Sequence, residues 1–355
     1  IMNVGKWVRK EILQQQAYAA DVIDCRIKLD ANENPFPLPP SLQDAFLACM
    51  RDLRLNRYPD AGAPRIRKRF AERYGVGDDM LMAGNGSDEL IQILCAALAR
   101  RGACLLIPVP TFAMYRISGL NYGYRIAEVP LDADFDLDAK AMASAISEKM
   151  PALTFLSYPN NPTGNCFSAE RMESILNRSV GIVVVDEAYF NFSGRTFLPL
   201  LERYENLVIL RTLSKVGFAA MRIGFLIGHP GLVRELDKVR LPYNLNALSQ
   251  LAAGFFLDHE PAFLEQVDGI IHERKHLLER LKNLAGVQPC RTDANFIFFS
   301  CTLEADDVCK KILSQGILVK PFKCPRGGRS YIRVTVGTRE ENEAFIEALG
   351  SVIAK

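Results

Sequence analysis

The chain has 355 residues, of which 49% are hydrophobic and 24% charged, with a formal net charge of +2. The near-neutral balance gives no pull toward nucleic acid or an anionic membrane, and the apolar fraction suits a soluble protein of about two domains with a large core. No apolar run reaches the roughly 18 residues of a membrane span, and the opening residues intersperse Lys6, Arg9, Lys10 and Glu11 with short apolar stretches, unlike a signal peptide.

In chain order, the first recognisable element is the Pro-rich stretch Asn34-Pro-Phe-Pro-Leu-Pro-Pro40. Proline excludes helix there and favours an extended arm. Next, Ser87 is expected to cap a helix, with Asp88 and Glu89 in its first turn and Leu90, Ile91, Leu94 and Leu98 on one face. Short apolar runs then recur at Ala103–Val109, Leu153–Ser157, Ile182–Val185, Leu207–Leu210 and Gly224–Ile227. Wholly apolar strands separated by helix-length segments predict an α/β fold with a mostly parallel central sheet covered by helices on both faces. Beyond about residue 230 the texture changes to long charged helices (230–239, 261–284) and short strands near 295–300, 316–320 and 331–336. These predict a smaller α+β domain. The expected division is a large domain over 45–245, with 1–44 and 246–355 forming the arm and the small domain.

Ligands of such sheets gather at the carboxyl ends of strands. Polar clusters stand at those ends: Tyr158-Pro-Asn-Asn-Pro-Thr-Gly164, Asp186-Glu-Ala-Tyr189 and Thr212-Leu-Ser-Lys215. An acid and a lysine at the ends of two buried strands are the pair that a pyridoxal phosphate (PLP) enzyme needs. The lysine forms a Schiff base, and the acid keeps the pyridinium nitrogen protonated. Gly84-Asn-Gly-Ser-Asp-Glu89 precedes a helix whose free N–H groups suit a phosphate; it is neither G-x-G-x-x-G nor a Walker sequence. Asp88 would oppose a phosphate through its side chain, so the contact there must be backbone. Phe112, just after a strand, offers a ring to stack on a cofactor, or simply a core aromatic. Likewise Asn161-Pro-Thr-Gly164 reads equally as a plain turn.

The order Asn161-Pro-Thr-Gly164, Asp186-Glu-Ala-Tyr189, Ser214-Lys215 and Arg222-Ile-Gly224 resembles that of fold-type I PLP aminotransferases. A narrower resemblance, to the histidinol-phosphate aminotransferase subfamily, is carried by Leu29-Asp-Ala-Asn-Glu-Asn-Pro-Phe36, Asn56-Arg-Tyr-Pro59, Gly86-Ser-Asp-Glu89, Thr212-Leu-Ser-Lys215 and Ile332-Arg-Val-Thr-Val-Gly337. The resemblance implies that Lys215 forms the Schiff base and shuttles the proton, and that Asp186 faces the pyridinium. It implies that Tyr189 and Asn161 bond the ring hydroxyl oxygen and that Phe112 stacks on the ring. Gly86, Ser87, Asp88, Ser214 and Arg222 would hold the phosphate. Tyr58 would reach the neighbouring subunit's cofactor, implying a homodimer with shared sites. Arg333 would grip the substrate carboxylate as a fork. Asn34 and Tyr18, both near the N-terminal arm, join it as substrate residues. The implied reaction passes an amino group between L-histidinol phosphate and 2-oxoglutarate or glutamate, in histidine biosynthesis.

One departure stands out. The family places a second arginine thirteen residues before the Arg333 position, where this chain has Lys320. Lysine is a point charge, not a planar fork. Arg326 and Arg329 could compensate. Aromatic amino acid aminotransferases and threonine-phosphate decarboxylases share the PLP motifs and stay open as alternatives. A remoter class is a zinc hydrolase, from His272-Glu273-Arg274-Lys275-His276, which matches H-E-x-x-H in a long charged helix. Nine cysteines at irregular spacing, without a C-x-x-C pair, argue against disulfides and a cysteine-rich zinc site and for a reducing cytoplasm. Cys95 and Cys104 lie in apolar runs as core residues.

Overall fold

The computed structural model describes residues 4–17, 23–323 and 330–354. Tyr18, Arg326 and Arg329 lie outside the described residues. The central sheet has seven strands: β1 (Leu81–Asn85), β2 (Cys104–Val109), β3 (Arg125–Pro130), β4 (Leu153–Ser157), β5 (Ile182–Asp186), β6 (Leu207–Thr212) and β7 (Ile223–Gly228). Their spatial order is β1-β7-β6-β5-β4-β2-β3. All neighbours pair in parallel except β7, which runs antiparallel to both β1 and β6. The expected mostly parallel sheet is therefore present, with one reversed strand.

Strands β4, β6 and β7 are buried at every residue. That is why they read as unbroken apolar runs rather than as alternation: helices cover both faces. Two strands escape that reading. β3 is an edge strand with exposed Arg125 and Glu128, and β1 contains Gly84 and ends in exposed Asn85.

The second sheet is small and antiparallel. It contains β8 (Val287–Pro289), β9 (Phe296–Cys301), β10 (Lys320–Lys323) and β11 (Ser330–Thr335), ordered β10-β11-β9-β8. It packs with two long helices, α1 (Glu260–Lys282) and α2 (Arg339–Ile353), the latter opened by a capping box between Thr338 and Glu341. The N-terminal segment joins this region: Ile27–Lys28 pairs in parallel with Ile317–Leu318. No described helix is long and apolar enough to cross a membrane.

The helix after β1 begins one residue earlier than expected, because its cap is Gly86 and not Ser87. Gly86 is the N-cap, at φ 78, and Ser87 is the first helical residue of the segment Ser87–Leu98. The reason is steric. A Cβ at Gly86 would sit 2.5 Å from the Arg222 guanidinium, so only glycine fits the turn. Gly224 is required for the same approach: its Cβ would meet the Gly86 carbonyl carbon and the Ser87 nitrogen at 2.5 Å.

Candidate active site

The parallel strands deliver their polar ends to one edge of the sheet. Asp186 is the last residue of β5 and is 3% exposed. Its Oδ2 accepts from the Tyr115 hydroxyl at 2.7 Å and its Oδ1 from the Ala188 N–H at 3.1 Å. Burial pushes its carboxyl up to about 6, against the pull of those two donors. Lys215 follows β6 in an irregular turn, Ser214–Phe218. Its Nζ donates to the Ala31 carbonyl, at 3.4 Å. Burial, then the charge of Arg333, brings its ammonium down to about 8 from an ordinary 10.5. A lysine so poised loses its proton near neutrality, as attack on an aldehyde requires.

Tyr189 lies beside them, with Lys215 Nζ 5.7 Å from its ring centroid. Burial pushes its phenol up to about 12. Its hydroxyl accepts from Asn161 Nδ2 at 3.3 Å and from Asn32 Nδ2 at 2.8 Å. Asn161 Oδ1 in turn accepts from Arg333 Nη1, and Arg333 Nη2 donates to the Asp30 carbonyl. Arg333 stands between the rings of Phe296 and Phe322, at 5.4 and 5.3 Å from their centroids. Thus Lys215, Asp186, Tyr189, Asn161 and Arg333 converge, although they come from both sheets.

The residues expected to hold a phosphate lie next to one another. Arg222 Nη1 donates to Ser214 Oγ at 3.3 Å, and Arg222 Nη2 donates to Asp88 Oδ2 at 2.9 Å. The Ser87–Leu98 helix has no side-chain cap, so its first N–H groups point out beside that arginine. An uncapped helix start, a serine and an arginine form a cradle for a phosphate, with glycine at Gly86 and Gly224 allowing close approach. The buried acid and the low-pKa lysine fit the ring and aldehyde of the same cofactor.

A family model described as Aminotransferase class I and II matches residues 26–349. The chain belongs to this aminotransferase family. It is 44% identical over 352 residues to Histidinol-phosphate aminotransferase 2 of Nitrosococcus oceani, covering 98% of this chain and 97% of that protein. It is 38% identical over 343 residues to the histidinol-phosphate aminotransferase of Aquifex aeolicus, covering 96% and 97%. The fold matches the histidinol-phosphate aminotransferase of Sinorhizobium meliloti, solved in complex with pyridoxal-5'-phosphate, with a TM-score of 0.84 at 24% identity, covering 93% of this chain and 91% of that one.

Other expected residues of this aminotransferase are placed less centrally. Phe112 is half-buried and meets Tyr115 edge-on at 5.5 Å between centroids. Asn34 spends its side chain on the Phe36 N–H and on Gln266 Oε1. Lys320 is exposed on β10, directly opposite Arg333 on β11. Tyr58 is 81% exposed and stacks on Tyr243 at 4.5 Å. In the His272–His276 stretch, Glu273 is engaged by Arg339 at 2.8 Å, and among the described residues no cluster of three metal-ligating side chains occurs.

Two residues at the centre lay outside the sequence expectations. Tyr115 follows Phe112 by three positions, a helical spacing that turns it toward the sheet end. Asn32 sits inside Leu29-Asp-Ala-Asn-Glu-Asn-Pro-Phe36, a motif whose local pattern gives that side chain no role.

Proposed function

We propose that this aminotransferase carries PLP on Lys215 and transfers an amino group between L-histidinol phosphate and 2-oxoglutarate, within histidine biosynthesis. The observation that carries the chemistry is the convergence of a low-pKa Lys215 and a buried Asp186 on adjacent strand ends. The identity of up to 44% with histidinol-phosphate aminotransferases along almost the whole chain supports the substrate.

When bound, PLP supplies an electron sink for proton removal at the substrate carbon. The protein's residues provide the rest. Asp186 holds the ring nitrogen charged. Tyr189 and Asn161 hold the ring oxygen. Ser87, Asp88, Ser214 and Arg222 hold the phosphate, the first two by backbone N–H, with Gly86 making room. Phe112 would offer its ring to stack on the cofactor. Lys215 would move the proton at the substrate carbon. Arg333 takes the carboxylate of glutamate, and its fixed bond to Asn161 links that end of the substrate to the cofactor oxygen. Lys320, on the same face of the small sheet as Arg333, takes the phosphate of the other substrate. Tyr18 and Asn34 are the further substrate residues of this reading.

The stack of Tyr58 on Tyr243 brings together two segments that also expose Leu55 and Leu241, at 89% and 71%. An apolar patch of this kind supports a homodimer in which Tyr58 reaches the partner's cofactor phosphate. A reducing cytoplasm suits the scattered cysteines.

Steady-state assays with histidinol phosphate, phenylalanine and threonine phosphate test the substrate. The expected order has kcat/KM highest for histidinol phosphate. A higher value for phenylalanine, or release of carbon dioxide from threonine phosphate, would replace this reading.

A further inference from the structure

We infer that Asn32 is a positioning residue that aims the Tyr189 proton at the bound cofactor. The inference rests on the cofactor site proposed above. Asn32 is 1% exposed and sits at φ 55, a left-handed backbone that asparagine tolerates better than most residues. It is held there from three sides. Its N–H donates to Thr335 Oγ1 at 2.9 Å, its carbonyl accepts from Asn295 Nδ2 at 3.1 Å, and its Nδ2 donates to the Tyr189 hydroxyl at 2.8 Å.

The direction of the Asn32 amide follows from its other end. Thr335 Oγ1 donates to Asn32 Oδ1 at 3.4 Å, so the NH2 group faces Tyr189. Asn161 is oriented in the same way, because Arg333 occupies its Oδ1 and leaves Nδ2 for Tyr189. A phenol oxygen has two lone pairs and one proton. Both lone pairs of Tyr189 face amide donors, so its proton has to point in a third direction, toward the cofactor's ring oxygen. Arg333 and Thr335 are two residues apart on β11 and share a face. The contacts therefore close a ring: Arg333, Asn161, Tyr189, Asn32, Thr335.

A donor to the cofactor's ring oxygen stabilises its deprotonated form and lowers the midpoint at which the visible absorbance of the bound cofactor titrates. Asn32→Gly keeps the left-handed backbone and deletes the amide. Asn32→Asp keeps shape and backbone but replaces the donor with an acceptor that takes the Tyr189 proton for itself. Both variants of the holoenzyme are expected to titrate higher by about half a unit to one unit, the scale of one buried hydrogen bond. Thr335→Val, which frees the Asn32 amide to rotate, is expected to move the midpoint the same way by less, and carries the test should neither Asn32 variant fold. In a Tyr189→Phe background, Asn32→Gly is expected to add nothing.

Unchanged midpoints in the folded variants, or a full shift that persists without the Tyr189 hydroxyl, would overturn the role of Asn32. The proposed cofactor site fails separately, if wild-type protein mixed with PLP shows no visible absorbance that Lys215→Ala abolishes.

Discussion

The Tyr115 hydroxyl donates to Asp186 Oδ2 at 2.7 Å, and the Tyr115 ring lies flat on Phe155, 4.6 Å away with an interplanar angle of 2°. The stack fixes the ring and so the direction in which its hydroxyl points. Burial holds the Tyr115 phenol well above its ordinary range, which keeps it a donor and never a competing anion.

Tyr115→Phe removes that donor and leaves the ring seated. Among the described residues Asp186 then keeps the Ala188 N–H as its donor, and its charge becomes costlier in a buried site. A hydrogen bond to a charged group is worth about 1.5–3 kcal/mol. The expected result is a dissociation constant for PLP raised about tenfold, measured by equilibrium dialysis. An unchanged constant would show that the hydroxyl does not support Asp186.

The buried Lys215 ammonium costs stability. Lys215 titrates at about 8 in the folded protein against an ordinary 10.5. Below pH 8 it is protonated in both states, and the folded state bears the full cost of burying the charge. Between about 8 and 10.5 the unfolded chain binds more protons, so this contribution moves toward the folded state as pH rises. Lys215→Met lacks the cost. Cofactor-free Lys215→Met is expected to exceed cofactor-free wild type by on the order of 3 kcal/mol at pH 7, with the difference closing near pH 10.5. Urea denaturation at several pH values measures it, and a pH-independent difference would contradict the assigned burial of charge.

Behind the site, Glu187 and Arg211 form a buried ion pair at 2.9 Å, 0% and 6% exposed at their side chains. Glu187 also accepts from the Phe197 N–H at 2.6 Å and from Thr196 Oγ1 at 2.9 Å. The Arg211 guanidinium lies between the rings of Tyr74 and Phe190, at 4.6 and 3.8 Å. The pair ties β6 to the residue after Asp186. Arg211→Leu leaves the carboxylate buried without its cation, which costs about 3–5 kcal/mol. Thermal unfolding is expected to show the loss, and a variant as stable as wild type would mean that water reaches Glu187.

Much of this arrangement is legible in sequence because burial on both faces writes a strand as an apolar run, and the run stops where the polar end of the strand begins. Val183-Val184-Val185 stopping at Asp186 announces both the strand and the acid. β3 is not legible, because an edge strand carries Arg125 and Glu128 on its open side. β1 is obscured by Gly84, whose Cβ would collide with Leu90 at 2.7 Å. Asn32 is the clearest gap. Its role depends on a left-handed backbone and on contacts with Thr335 and Tyr189, which are 303 and 157 residues away in sequence. No local pattern records such a junction.

Lys320 and Arg333 face each other across β10 and β11, two cations in one register position. Like charges directly opposite repel, so the pair is unfavourable until an anion joins it. Arg333 is committed to Asn161 and Asp30 and is 7% exposed, whereas Lys320 is exposed and free to reach outward. Under the proposed function the fixed fork would serve the carboxylate and the flexible point charge the phosphate. Lys320→Ala is expected to raise KM for histidinol phosphate about tenfold, the loss of one charge-assisted hydrogen bond, while KM for glutamate changes less than twofold. Lys320→Arg is expected to restore or lower the KM for histidinol phosphate. Equal effects of Lys320→Ala on both substrates would place the lysine outside the phosphate contact and leave that anion to other residues.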